Sequence, residues 1–330
     1  MLEKTLTAFI TVLAGVSAAL ALYWVLNKIS ELLPEKYEER LKPWFYILPA
    51  YLAIAIFVIY PAVQTFIYSF KTKVGFPAES WTGFDNYTTL LASDAFRQTL
   101  LNTFLWILFV PAAVVILGLL VALLADRLPT KGENAVKTLI FMPMAISMVG
   151  AATVWGLVYD YRPPGRPQVG LLNGIVAAFG GDPIAWLQQN AFHFNSFLLM
   201  VMLLWMNVGF AMVLLSAAVK GVPSETLEAA RIDGADERQV YVRVVLPQIK
   251  GTIVTVFITV LIGVMKVFDI VFVMTNGNFN TNIIGNEFYL QFFNNNNQGA
   301  AAAIAVMLML AVIPIMIYQV RNFRAEEAAR

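Results

Sequence analysis

The chain has 330 residues, of which 59% are hydrophobic and 13% charged, and its formal net charge is +1. This composition is too apolar for a soluble domain of this length and indicates a protein that crosses a membrane several times. With no cysteine and one histidine, the sequence excludes disulfides, thiolate metal sites and histidine clusters. We interpret the single histidine, His193, as an interfacial residue at the end of a span.

A helix needs about 20 apolar residues to cross the hydrocarbon core of a bilayer. Seven stretches meet this requirement, and only the sixth contains charged residues: 6–26, 44–70, 98–125, 138–159, 194–219, 252–274 and 300–320. The sequence therefore predicts an all-α polytopic membrane protein with about seven transmembrane helices. Prolines inside or near the ends of these stretches predict kinks, at Pro49, Pro61, Pro111, Pro143 and Pro314.

The segments between the spans differ in charge. One set of segments carries more than twice as many lysines and arginines as the other: residues 27–43, 126–137, 220–250 and 321–330, against residues 1–5, 71–97, 160–193 and 275–299. Basic segments are retained on the cytoplasmic side of a membrane. We therefore predict that the first set is cytoplasmic, with the amino terminus outside and the carboxyl terminus in the cytoplasm.

The first 43 residues are predicted to be an addition to a core of six spans in residues 44–330. Residues 6–26 are compatible with a cleaved signal peptide, but cleavage would place the basic segment 27–43 outside, so we favour a retained span. After it, Leu33, Tyr37 and Leu41 recur every four residues among charged side chains. This spacing predicts an amphipathic helix in the membrane interface, begun by Pro34, and the alternative is a solvated linker.

The 220–250 loop contains the most ordered polar pattern of the chain. Pro223 and Glu225 mark a first helical turn, Gly234 ends that helix, and Asp236 with Gln239 predicts a capped second helix. This helix carries valines and Tyr241 on one face, and Pro247 is expected to end it. The loop is thus predicted to be a helix, a glycine turn and a helix, either gripped by a soluble partner or lying on the lipid surface.

The same loop resembles the signature loop of ABC importer permeases, with residues that match the pattern in place: Glu228, Ala229, Ala230, Gly234, Leu246 and Pro247. Val244 stands where the pattern has isoleucine. Further matches, including Gly83 to Tyr87 and Phe141 to Pro143, make the chain similar to the permeases of binding-protein-dependent sugar importers of the maltose and α-glucoside type. The resemblance implies a type I importer permease fold and assigns coupling to an ATPase to these six loop residues.

Candidate residues of a solute path interrupt the apolar spans. Trp205, Asn207 and Phe210 combine aromatic faces with an amide, a set that suits sugar rings, although helix packing explains each residue equally well. Lys266 and Asp269 are three residues apart and can pair on one helix face, or they line a cavity. The Asn-rich and aromatic segment 275–299 is predicted to be an outer loop that suits docking of a solute-binding protein.

Residues for catalysis are not evident. The sequence has no Gly-Lys dipeptide and so no Walker-type phosphate loop, and it offers no nucleophile constellation. We predict a permease subunit that is not itself an enzyme, binds no cofactor or metal, and imports an oligosaccharide or glucoside. The predicted partners are a second homologous permease, an ABC ATPase dimer that holds ATP and Mg²⁺, an extracytoplasmic solute-binding protein and membrane lipid, with no nucleic acid.

Three alternatives remain open from the sequence. The first is a secondary transporter, which needs a coupling-ion site that only Lys266 and Asp269 offer within a span. The second is a permease for a non-sugar solute such as glycerol phosphate, and the third is a membrane scaffold or sensor without solute flux. The predicted location is the bacterial inner membrane.

Overall fold

The computed structural model describes residues 2–32, 34–72 and 80–328. Helices dominate these residues, and an isolated antiparallel bridge joins Lys71 and Trp81. The α-helices in the described ranges are, in chain order, α1 (Leu2–Glu31), α2 (Glu35–Ile54), α3 (Tyr60–Tyr68), α4 (Asp85–Ala92), α5 (Asp94–Ala125), α6 (Thr130–Phe141), α7 (Met148–Val158), α8 (Leu171–Ala178), α9 (Phe194–Lys220), α10 (Ser224–Ile232), α11 (Glu237–Gln239), α12 (Leu246–Gln248), α13 (Lys250–Met265), α14 (Asp269–Met274), α15 (Ile284–Tyr289) and α16 (Gln298–Ala328).

The chain divides into two compact units, residues 1–67 and 68–330. In the first unit, the Tyr46 hydroxyl donates to Asn27 Oδ1 at 2.7 Å, which joins α2 to α1. Helix α2 begins directly after Pro34, as predicted, but it continues through residues 43 and 44 to Ile54. The predicted amphipathic helix is therefore the first part of a longer helix, and Leu33 lies outside the described residues. The division into domains 1–43 and 44–330 stays a prediction.

The prediction of an all-α protein with about seven spans is confirmed. Five of the described helices are long and apolar enough to cross a membrane, and two sharply bent helix pairs raise the number to as many as seven. The second span contains a π-helical segment at Ala55–Ile59, just before Pro61. Helices α5 and α16 continue as helices through Pro111 and Pro314.

The fourth predicted span, residues 138–159, is not one straight helix. Helices α6 and α7 meet at an angle of 106°, with Pro143 in a 3₁₀ turn between them at Met142–Ala145. Proline removes a backbone donor and obstructs the preceding turn. Helix α7 restarts at a new cap, because Ser147 Oγ accepts a hydrogen bond from the Gly150 amide at 3.1 Å.

The core of the second unit lies along α5 and α9. Buried Trp106, Val110 and Val114 of α5 pack in one cluster with buried residues of α9 such as Leu199 and Leu215. The cluster also takes in residues of α7, α13 and α14, including Ala151, Val260 and Ile270. These helices surround α9, so residues on α9 contact most of the elements that carry the candidate site.

Gly209 permits the closest approach between α9 and the end of α6. A Cβ atom at this position would lie 2.3 Å from Ile140 O and 2.6 Å from Phe141 Cα. Backbone atoms cannot yield as a side chain can, so any larger residue pushes the two helices apart. This contact fixes the position of α6 against the middle of α9.

We expect the Gly209→Ala substitution to lower the thermal unfolding midpoint of the detergent-solubilised protein. Overpacking of this kind costs about 1–3 kcal/mol. The matched control is Gly263→Ala on α13, where an added Cβ meets nothing within 4 Å. Alanine is the better helix former by about 1 kcal/mol, so the control should raise or preserve the midpoint. Equal shifts in both variants would contradict the close contact at Gly209.

Candidate functional site

The first helix of the 220–250 loop forms as predicted. Helix α10 begins immediately after Pro223 and ends at Ile232. Gly234 follows with a φ of +86°, and its amide donates to Arg231 O while the Ala235 amide donates to Ala230 O, both at 3.0 Å. This pair of hydrogen bonds is a Schellman motif, which needs a left-handed residue after the helix. Glycine adopts this conformation without a steric cost.

The second helix of the loop begins at the predicted capping box. Asp236 Oδ1 accepts from the Gln239 amide at 2.7 Å, and Gln239 Oε1 accepts from the Asp236 amide at 3.0 Å. Two orphan donors at the helix start are thereby satisfied. The predicted helix, glycine turn and helix are all present.

The prediction that Pro247 ends the second helix is wrong. The chain stays helical through Gln248, and the direction changes by 69° at Ile249, where α13 takes over. Pro247 is accommodated because it follows a π-helical segment, Val240–Val245, and because it lies in the first turn of α12, where the missing amide is tolerated. The wider π-helical turn buries Val240 and Val245, five residues apart, on the same side.

A small apolar core anchors the loop to the spans. Val222, Val240, Val245 and Ile249 are buried together. Partly buried residues of the loop and of three neighbouring spans pack against them: Leu119, Ala218, Val219, Leu227, Ala230, Ala235, Tyr241, Leu246 and Ile253. Each fully buried valine or isoleucine contributes about 1.5–3 kcal/mol relative to exposure. The loop is therefore fastened to α5, α9 and α13 rather than suspended between them.

The six signature residues separate into two groups. Ala230 and Leu246 pack against the small apolar core, whereas Glu228, Ala229, Gly234 and Pro247 are exposed. Ile232, which the sequence analysis did not single out, is 86% exposed at the end of α10. Glu228, Ala229 and Ile232 thus present a carboxylate and apolar groups on the surface of one short helix. An isoleucine in the polar loop that is predicted to be cytoplasmic was the signal that sequence reasoning overlooked.

An ion pair bridges the glycine turn. Arg231 Nε donates to Glu237 Oε1 at 2.8 Å and Arg231 Nη2 to Glu237 Oε2 at 3.4 Å. The hydrogen bond from Arg231 holds the pKa of the Glu237 carboxyl below its ordinary value of 4.5. The pair joins the end of α10 to the start of α11 across the glycine turn.

The candidate solute residues of α9 do not form one surface. Trp205 meets Trp155 of α7 at a ring distance of 6.0 Å, and both indoles line a cavity of about 580 Å³ whose other walls are apolar. Asn207 and Phe210 are not among the described lining residues of this cavity. The Asn207 amide instead donates to Leu203 O of its own helix at 2.8 Å. Positions 205 and 207 differ by about 200° around a helix, so they face different neighbours.

Of the two alternatives for Lys266 and Asp269, the ion pair is absent among the described residues. Helix α13 ends at Met265 and α14 begins at Asp269, with non-helical backbone at Phe268. Residues three apart share a face only on a continuous helix. Lys266 is exposed and Asp269 half-buried at this break. Phe268 packs against Phe272 and Tyr289 at ring distances of 4.9 Å.

Two buried asparagines hold the loop predicted to face outside. Asn102 Nδ2 donates to Asn280 O at 2.6 Å and to Asn282 O at 2.8 Å. Asn195 Nδ2 donates to Phe279 O at 2.8 Å. Such bonds stabilise left-handed backbone at residues other than glycine, here Phe279 and Asn280.

His193 lies at the start of α9, the position predicted for it. Its Nδ1 atom is 2.9 Å from Asn102 Oδ1, so the ring supports the asparagine that holds the outer loop. His, Asp and Glu side chains in the described ranges form no group of three or more that could hold a metal ion.

The chain matches a family described as binding-protein-dependent transport system inner membrane component over residues 93–324. The alpha-glucoside transport system permease protein AglF of Rhizobium meliloti is 42% identical over 339 residues, covering 98% of this chain and 99% of that protein. The osmoprotective compounds uptake permease protein GgtC of Synechocystis is 41% identical over 285 residues, covering 86% of this chain and all of that protein.

The fold is shared with a solved structure. A chain of a bacterial ABC transporter involved in the import of the acidic polysaccharide alginate superimposes with a TM-score of 0.72 at 22% identity, over 88% of this chain and 99% of that one. This similarity confirms the predicted type I importer permease fold. Together with the sequence matches, the helices and the capped loop define a multi-pass permease subunit, a transport protein of the ABC importer class.

The particular family follows from the sequence matches. The chain belongs to the inner membrane components of binding-protein-dependent transport systems, as the signature loop predicted.

We expect Asp236→Ala to accelerate hydrogen exchange at the Gln239 amide roughly fivefold, because loss of an N-cap costs about 1 kcal/mol. The control is Asp233→Ala, since the Asp233 carboxylate has no hydrogen bond within the described ranges. Mass spectrometry of loop peptides measures the effect. Unchanged exchange in the Asp236 variant would contradict the capping box.

The Arg231–Glu237 pair predicts a pH dependence of the glycine turn. Because the pKa of Glu237 is lowered in the folded state, the stabilisation is present above the ordinary carboxyl pKa and is lost as pH falls through the lowered value. Hydrogen exchange of the turn should therefore be slower in the native protein than in Glu237→Gln at pH 7. The two proteins should become equal well below pH 4.5. A difference that persists at acid pH would exclude the carboxylate as its cause.

Proposed function

We propose that this chain is the permease subunit of an ATP-driven importer for an oligosaccharide or glucoside, with α-glucosides such as maltose, trehalose, sucrose or glucosylglycerol as the substrate class. The support for the substrate class is the similarity to AglF and GgtC, whose names specify alpha-glucosides and osmoprotective compounds. A relative in Thermococcus litoralis, 31% identical over 73% of this chain, is named for trehalose and maltose transport.

The 220–250 loop is the docking site for a separate ATPase chain in this proposal. The observation that carries it is the combination of an anchored core with an exposed helix surface: Val222, Val240, Val245 and Ile249 fasten the loop, while Glu228, Ala229 and Ile232 face solvent. A solvated linker would not need a core, a capping box and a Schellman motif. A short, stiff helix transmits displacement because it moves as one body with the span ends that hold it.

Nucleotide chemistry belongs to the partner in this proposal. ATP and Mg²⁺ bind to an ABC ATPase dimer, and a second, homologous permease provides the loop for the other ATPase subunit. Closure of the ATPases on ATP would move both loops together and switch the spans between inward-open and outward-open states. The positive-inside distribution supports the cytoplasmic placement of the loop.

A solute-binding protein would deliver substrate from the outer side. This part of the proposal draws on the alginate transporter, which has been solved in complex with an alginate pentasaccharide-bound periplasmic protein. In this chain the buried amides of Asn102 and Asn195 hold the segment 275–299, which would offer the docking surface at the ends of α5 and α9 that are predicted to face outside.

The solute path on this chain would involve two features of the second unit. One is the pair of indoles, Trp155 and Trp205, in a cavity of about 580 Å³, a size that accommodates a small saccharide. The other is the helix break at residues 266–268, because transporters build midplane sites from discontinuous helices. Lys266 and Asp269, unpaired among the described residues, would donate to and accept from sugar hydroxyls at this break. Asn207 and Phe210 remain candidates on other faces of α9.

We expect Glu228→Lys to reduce ATP-driven uptake at least tenfold in proteoliposomes that contain the complete transporter, because it reverses the charge that faces the partner. Gly234→Pro should act likewise, since proline cannot adopt a φ of +86°. The control, Glu225→Lys, changes another exposed carboxylate in the first turn of the same helix. Solute binding should be unchanged in all three. Normal uptake by Glu228→Lys and Gly234→Pro would contradict a coupling role for the loop.

The sugar-path assignment predicts that Trp205→Ala raises the KM for α-glucoside uptake about two- to tenfold, because an aromatic contact contributes about 0.5–1.5 kcal/mol. Trp44→Ala, at an exposed tryptophan of the first unit, is the control.

Two measurements test the alternative transport functions: competition with glycerol phosphate, and uptake driven by an ion gradient without ATP. Uptake that follows the ion gradient would overturn the ATP-driven function.

A further inference from the structure

Four charged side chains meet where three helices end beside the 220–250 loop. Lys220, the last residue of α9, donates through Nζ to Glu133 Oε1 of α6 at 2.6 Å and pairs with Asp126 Oδ1, after the end of α5, at 3.1 Å. Lys137 of α6 pairs with the same Oε1 atom of Glu133. We name these four residues the charge cluster.

Glu133 is the centre of the charge cluster. Its side chain is 11% exposed, and one of its oxygen atoms accepts from both lysines. A nearly buried carboxylate of this kind persists only with its partners, because removal of one member leaves a buried charge uncompensated. If Glu133 alone were neutral, two ammonium groups would face each other at short range.

The cluster joins α6 to α9 through two successive turns. Glu133 and Lys137 are four residues apart on α6, and Ser216 and Lys220 are four apart on α9, so each pair lies on one helix face. Lys220 bonds to Glu133, and Lys137 donates to the hydroxyl of the buried Ser216. The two helices are therefore held at two levels, in addition to the backbone approach at Gly209 further along α9.

The position of the cluster in the chain connects it to the loop. Lys220 is separated only by Gly221 from Val222, which belongs to the small apolar core of the loop. On the other side, α6 leads into the 106° bend and α7, which carries Trp155. A displacement of the loop reaches α9 directly along the chain, and the charge cluster is a noncovalent contact that passes it from the end of α9 to α6.

We propose that Glu133 is a positioning residue for coupling: it fastens α6 to α9 at the base of the 220–250 loop, so that movement of the loop moves the bent α6–α7 span with it. This inference rests on the proposed role of the loop in ATP-driven transport. Glu133 contacts neither solute nor ATPase in this scheme, and its effect passes through α6.

The measured quantity is the number of ATP molecules hydrolysed per solute imported by the reconstituted transporter. We expect Glu133→Gln to raise this ratio at least fivefold while equilibrium solute binding is retained, because the loop moves but α6 follows incompletely. A general loss of stability would lower hydrolysis and uptake together and leave the ratio unchanged. Lys131→Gln, an exposed charge on the same helix, is the control. A native ratio in Glu133→Gln would overturn the inference.

A second variant keeps the test decisive if Glu133→Gln does not fold. The chain has no cysteine, so Lys137→Cys with Ser216→Cys places two unique thiols at a contact between α6 and α9. These two substitutions are combined with Glu133→Gln. Because Lys137→Cys removes one positive charge and Lys220 stays paired with Asp126, this triple variant does not leave two ammonium groups facing each other. Before cross-linking the ATP-to-solute ratio should be high. A short bifunctional thiol reagent should restore the native ratio, because a covalent link replaces the fastening that Glu133 provided.

Two outcomes separate this inference from the proposed function. If the cross-link fails to restore the ratio, or lowers uptake further, α6 and α9 do not move together and the inference is wrong. Glu228→Lys is measured in parallel on the loop surface. If Glu228→Lys loses ATP-driven uptake while both Glu133 variants keep the native ATP-to-solute ratio, only the present inference is wrong. If Glu228→Lys also keeps native uptake, the proposed role of the loop is wrong.

Discussion

The hydrogen-bonding requirement of the backbone inside a membrane constrains this protein more than any other interaction. Hydrocarbon offers no partner to a free amide or carbonyl, so a spanning segment must be helical or must satisfy its open groups within the protein. Two breaks inside predicted spans of the second unit, at Pro143 and after Met265, obey this rule. At the first, Ser147 caps α7 after the turn at Pro143. At the second, after Met265, the amides of Lys266 and Val267 donate to Gly263 O and Val264 O, both at 3.1 Å.

The two ends of the second unit are stabilised by different chemistry. Neutral amides act at the end predicted to face outside, where Asn102 and Asn195 hold a loop of left-handed residues. Charges and a small apolar core act at the end predicted to be cytoplasmic, where Glu133 and Lys220 meet beside the buried Val222. The hydrogen bonds from the two asparagines hold one conformation of a loop. An anchored helix with an exposed surface is instead suited to receive force from another protein.

Transport in this scheme requires stiffness in some contacts and freedom in others. The capped helices of the 220–250 loop and the tight contact at Gly209 are stiff, because backbone atoms and buried side chains fix them. The bend between α6 and α7 and the break between α13 and α14 are places where the spans can change direction. The indoles Trp155 and Trp205 lie between these elements, on α7 and α9. Motion of the loop would thus alter the walls of the proposed solute path without unfolding a span.

The helical class, the number of apolar stretches and the architecture of the loop were predictable from the sequence, because they depend on local chemistry. Asp236 and Gln239 are close enough along the chain to cap a helix in any context, and Gly234 ends α10 for the same local reason. The signature pattern also identified the family, because its spacing is local. The bend at Pro143 was expected as a kink, but its angle was not.

What the sequence by itself determined is therefore the helices, their apolar character and the form of the loop between α9 and α13. Only the tertiary structure decided which side chains meet across helices. Lys266 and Asp269 are near in sequence and do not pair, since a break separates them, while Glu133 and Lys220 are 87 positions apart and do. Such contacts depend on how α6 and α9 approach each other at Gly209, a distance that no local pattern specifies.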